Sequence, residues 1–208
     1  MHHLIKVLFL FLPILCAAQP EQVDGRLVPV TIAKILFDGD GARVWINGRV
    51  RKVRFGNTNS PEFKAWTTTK VQPYAKQSRD SMRALLHVGD TILLDTLPFG
   101  KRKMSYDRLV VDAYLKPNST YPIPRLISYY SISRGWSWYQ PSPKDRRINP
   151  PVGFTLVGPA SVDEVLATAQ QFAIDNQIGL FDRQLYPKAL APWYWLRKYH
   201  RLRVPIHK

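Results

Sequence analysis

The stretch from Val30 to Glu62, VTIAKILFDGDGARVWINGRVRKVRFGNTNSPE, leaves the chain little freedom in what it folds into. Alternation over Val28–Lys34 reads as a β-strand. Phe37-Asp38-Gly39-Asp40-Gly41 reads as a tight turn, because Asp-Gly pairs accept the positive φ angles that hairpins need. Val44–Ile46 returns as a second strand. Asn47-Gly48 is a second hairpin signal, and Val50–Phe55 follows as a third strand. Three strands joined through two tight turns predict a β-meander.

The remaining elements narrow the architecture. Pro73 opens a helix whose Ala75, Ser78, Met82, Leu85 and Leu86 share one face, and Gly89 closes it. Thr91–Leu94 and Arg108–Leu115 read as two further strands. Arg125–Arg134 reads as a helix closed by Gly135. Trp136, Trp138 and Tyr139 alternate as a strand would, inside a proline-rich connection. Ser161 and Glu164 match a capping box. Val165, Leu166, Ala169, Phe172 and Ala173 continue as an amphipathic helix, stopped by Gly179. The order predicts an α+β fold: a five-stranded OB-fold-type barrel with about three helices.

Charge and the N-terminus bear on partners and compartment. Thirty Lys and Arg against 15 Asp and Glu give a formal charge of +15, which favours polyanions such as nucleic acid or acidic membrane surfaces. Lys6, the apolar run Val7–Cys16 and the small residues Ala17-Ala18 match a secretory signal peptide over residues 1–18. A secreted or periplasmic protein is therefore expected. The mature chain would lack cysteine, since Cys16 is the only one. Residues 19–28 read as a linker, 29–198 as the folded domain with a helical part from about 161, and 199–208 as a basic tail. No later stretch is long and apolar enough to suggest a membrane span, and nothing points to an obligate protein partner.

Acid, guanidinium and second acid occur in that order along the meander. Asp40 lies in the first turn, Arg54 on the third strand and Glu62 directly after Pro61. Phosphodiester hydrolysis needs such groups. A hard cation on oxygen ligands neutralises phosphate charge. Guanidiniums hold phosphate oxygens bidentately. A carboxylate takes a proton from the attacking water. Read singly, Asp40 is also ordinary turn chemistry, Glu62 a solvated loop charge, and Arg54 and Arg108 surface cations.

FDGDG at 37–41, VRFGNTNSPEFK at 53–64, SYDRL at 105–109, and GLFDR at 179–183 leading to PWYWLRK at 192–198 resemble the staphylococcal nuclease (thermonuclease-like) family in order and spacing. The resemblance covers about residues 29–198. It implies a barrel that binds one calcium ion and hydrolyses DNA and RNA. It places Asp40 and Asn59 as calcium ligands, with Ser60 lending its backbone carbonyl. It assigns Glu62 as general base, Arg54 and Arg108 to the phosphate, and Tyr106 to a terminal phosphate. Asn59 stands where the family has an aspartate. Its amide oxygen keeps a ligand but loses a charge, so calcium affinity is expected to fall. The resemblance thus carries an alternative, a catalytically weak or inactive nucleic-acid-binding OB-fold module.

Overall fold

A computed structural model describes residues 27–35, 38–63, 71–95, 104–105, 107–141, 162–187, 191–192 and 194. Five strands close a mixed barrel. β1 (Leu27–Ile35), β2 (Gly41–Ile46) and β3 (Arg49–Phe55) form the expected antiparallel meander. Two-residue β4 (Thr58–Asn59) and helix α1 (Ala75–Leu85) come next, then β5 (Thr91–Asp95), short β6 (Met104–Ser105) and β7 (Arg108–Leu115). β5 lies antiparallel between β1 and β7. β7 pairs in parallel with β3 through Val53↔Leu109 and Phe55↔Val111, which closes the ring.

The barrel interior is filled by the inward positions of its strands. Val30, Ile32, Val44, Val53, Phe55, Leu94 and Val111 are all buried there. Met82 of α1 and Leu86, which caps that helix, join the same core. On β1 the alternation changes phase. A β-bulge between Ile32 and Lys34 leaves Ala33 unpaired, so Ile32 and Ile35, three positions apart, both point inward. The same bulge turns Lys34 outward beside Arg43.

The C-terminal half packs onto the barrel. Short β8 (Arg125–Leu126) runs directly into α2 (Ile127–Ser133), so the helix is shorter than the sequence pattern suggests. β9 (Trp138–Tyr139) pairs with β4. α3 (Val162–Asp175) buries Val162, Leu166, Ala169 and Ala173, as its periodicity requires. Phe172, read from the sequence as part of that face, is instead exposed, at the rim of a groove of about 800 Å³ between α2 and α3. The helix ends before Gly179, which opens a 3-10 turn (Gly179–Phe181). Gly135 and Gly179, each at positive φ, meet backbone to backbone, and the Leu180 amide donates to the Gly135 carbonyl at 2.9 Å.

Two boundaries differ from the sequence reading. β1 starts at Leu27, inside the stretch read as linker, because Leu27 pairs with Asp95 and is buried. α1 starts at Ala75 rather than Pro73, with Tyr74 at φ 69° as its cap. The signal-peptide segment, Tyr106, Ser161, Trp193, Trp195 and the basic tail lie outside the described residues. Among the described residues no helix is long and apolar enough to cross a membrane.

Candidate functional site

The β1–β2 turn, β3 and the start of β7 meet at one edge of the barrel. Asp40 closes the turn and is 2 % exposed. Its carboxylate forms an ion pair with Arg54 through Oδ2, and its Oδ1 accepts from Arg108 Nη1 at 3.2 Å. The parallel pairing of β3 with β7 causes this convergence, by bringing Arg54 alongside Val110 and its neighbour Arg108 to the same carboxylate. The turn is held from behind. Gly39 adopts φ 85°, and a Cβ there would lie 3.3 Å from the Arg79 backbone of α1.

The loop after β3 supplies the next groups. Asn57 takes the left-handed conformation, and its amide donates to Asp163 of α3 at 2.9 Å. Thr58 and Asn59 pair with Tyr139 and Trp138. Arg54 Nη2 then donates to the Thr58 carbonyl at 3.0 Å and to Asn59 Oδ1 at 3.2 Å. Ser60 is buried, and its hydroxyl has no partner among the described residues.

Glu62 is fixed through its backbone. Its amide donates to Gln72 Oε1 at 2.9 Å, and its carbonyl accepts from the Gln72 amide at 2.9 Å. Burial raises its carboxyl from 4.5 to about 7, and the charge on Asp40 pushes the same way. Arg54 and Arg108 pull it back only in part. Asp38, two residues before Asp40 in the turn, is also raised well above the ordinary range. Burial is the main cause, followed by the charge of Asp40 and a hydrogen bond to it. Asp38 Oδ2 lies 4.0 Å from Arg108, and its buried Oδ1 has no partner among the described residues. Three carboxyls and two guanidiniums thus share one pocket of charge.

The sequence-derived residues Asp40, Arg54, Arg108 and Asn59 come into direct contact, and Glu62 lies within their electrostatic reach. Asp38 and Gln72 are additions. The Asp-x-Asp spacing of a tight turn signals the first. Nothing local signals the second, because the return of residue 72 to residue 62 is a tertiary contact.

Hard oxygen donors suited to calcium are present in Asp38, Asp40, Asn59 and the backbone at Ser60. In this arrangement both Asp40 oxygens and the Asn59 amide oxygen face arginines. No group of three His, Cys, Asp or Glu side chains positioned to hold a metal occurs among the described residues. The donor chemistry fits the ion; the pairing favours an arginine-lined anion site.

The raised carboxyls have a consequence for stability. A carboxyl whose folded value exceeds its unfolded one binds more protons in the native state, so stability falls as pH rises from about 4.5 to 7. Glu62 contributes up to about 3 kcal/mol of that loss. Glu62→Gln is expected to raise Tm at pH 8 and to flatten the dependence of Tm on pH. An unchanged Tm at pH 8 would show that Glu62 titrates normally.

Fold and site together define an OB-type barrel whose edge carries a paired-arginine cluster around a buried aspartate. Comparison with protein-family models and with curated proteins finds no match for the chain. The architecture agrees with that of staphylococcal-nuclease-like barrels at the level of fold.

Proposed function

We propose that this protein is a nucleic-acid-binding OB-fold module that grips a backbone phosphate between Arg54 and Arg108. The observation that carries this reading is the convergence of two guanidiniums on Asp40 at the barrel edge, in a chain of formal charge +15. Phosphate oxygens suit paired guanidiniums bidentately, and a basic barrel surface draws the polyanion in. The N-terminal pattern suggests that the protein meets its ligand outside the cytoplasm.

Calcium-dependent hydrolysis of DNA and RNA is the second reading. A carboxyl displaced to about 7 favours it, because a base is most effective near the operating pH. Glu62 would take the proton of the attacking water, while Arg54 and Arg108 would hold the phosphate and stabilise its growing charge. Asp40, Asn59 and the Ser60 carbonyl, with Asp38 beside them, would hold calcium. The ion, when bound, would supply charge neutralisation at the phosphate.

One experiment tests both. The protein is incubated with single-stranded DNA, RNA and plasmid, in calcium or in chelator, and binding and cleavage are read separately. Binding should weaken steeply with salt. Arg54→Ala and Arg108→Ala should each lower affinity roughly tenfold, on the scale of a charge-assisted hydrogen bond. Salt-insensitive binding, or binding indifferent to both arginines, would sink the module reading. Absence of cleavage in calcium would sink the hydrolase reading alone.

A further inference from the structure

The outer face of the meander carries a second feature. Trp45 on β2 is 50 % exposed. A lone exposed apolar residue needs no explanation, but its neighbours do. Register places Thr31, Trp45 and Val50 in one row across three strands. The adjacent outward row is Lys34, Arg43 and Lys52. Like charges directly opposite one another in a sheet are destabilising. Asp107 forms an ion pair with Lys52, and Lys34 has an interaction of its own. Arg43 is exposed and makes no ion pair among the described residues.

This face continues into the site already described. Alternate residues of a strand share a side, so Val50, Lys52 and Arg54 follow one another along β3. From Val50 to Arg54 is four residues, roughly 13 Å at strand spacing. An aromatic step, a row of cations and the arginine pair therefore lie on one line.

We propose that this line is a track for single-stranded nucleic acid. Lys34, Arg43 and Lys52 carry backbone phosphates toward Arg54 and Arg108, and a base stacks on Trp45. Charge complementarity selects the occupant: a phosphate chain supplies a counter-charge to Arg43, which makes no ion pair among the described residues, and an apolar partner would not. Stacking selects a single strand, because only unpaired bases offer a free face. The inference rests on the nucleic-acid-binding reading of the Arg54–Arg108 cluster and extends it to a second contact.

The test is fluorescence anisotropy with labelled single-stranded DNA of about a dozen nucleotides, in chelator, across a salt series. Trp45→Ala should weaken binding about tenfold with the salt slope unchanged, since stacking releases no counterions. Trp45→Phe should recover most of the loss. Arg43→Ala should instead reduce the slope by about 0.7, the value for one phosphate contact on a single strand. Both positions are exposed, and circular dichroism checks that each variant folds. Parent-like affinity in Trp45→Ala, or no recovery with Phe, overturns the track while leaving the arginine site standing if Arg54→Ala still weakens binding. Absence of any binding by the parent protein overturns both.

Discussion

Asp40→Asn is expected to lower stability by about 2–4 kcal/mol and, in chelator, to tighten binding of single-stranded DNA. Both effects come from the same geometry. Asp40 is buried against Arg54 and Arg108, whose side chains are 15 % and 18 % exposed. Removing the charge of a buried partner takes away the carboxylate that both guanidiniums share, and such losses cost about 3–5 kcal/mol when burial is complete. Some access to water lowers the figure here. The freed guanidiniums are then open to phosphate, which replaces the carboxylate as their counter-charge. Urea denaturation measures the first effect and anisotropy the second. If binding weakens in chelator together with stability, Asp40 organises the anion site rather than competing for it. In calcium, the hydrolase reading demands the opposite outcome, because cleavage should disappear with the ligand.

Gly179→Ala should be more damaging still, with a loss of about 3–5 kcal/mol from combined overpacking and left-handed backbone strain. A Cβ at Gly179 would sit 2.4 Å from the Gly135 carbonyl oxygen and 2.8 Å from that of Arg134, with φ at 61°. These neighbours are backbone atoms and cannot swing aside. Gly48→Ala separates the two causes. Gly48 has φ 72°, yet nothing lies within 4 Å of its Cβ position, so only the conformational cost of about 1–2 kcal/mol remains. Equal losses in the two variants would show that the glycine contact carries no steric constraint. The damage at Gly179 should also reach the site. The junction it seals holds the segment that carries Trp138, and Trp138 pairs with Asn59 beside Arg54.

Much of this was legible along the chain. The Asp-Gly and Asn-Gly turns announced the meander, and the apolar phase of Arg108–Leu115 announced the strand that closes the barrel. Asp40, Arg54 and Glu62 were recognisable along the meander because their residue types match one chemistry, and the family resemblance added Arg108. Other features were not legible. Phe172 fits the periodicity of the buried stripe, but α3 buries Val162, Leu166, Ala169 and Ala173 and presents Phe172 to a groove. Gly135 and Gly179 each read as a helix stop; that they touch one another follows from no local pattern.

Local chemistry therefore determined which strands and turns exist, since dihedral preference and alternation act within a few residues. It also determined the presence of two acids and two arginines near the ends of those strands. Only the tertiary structure decided what the groups do to one another. Parallel closure of β3 on β7 places both arginines on Asp40. The Gln72 clamp holds Glu62 in a half-buried setting where its carboxyl rises to about 7. The bulge at Ala33 aligns Lys34 with Arg43 and Lys52 beside Trp45. Each outcome depends on distance and burial between residues far apart in the chain, and electrostatic energy responds to those quantities rather than to residue type alone.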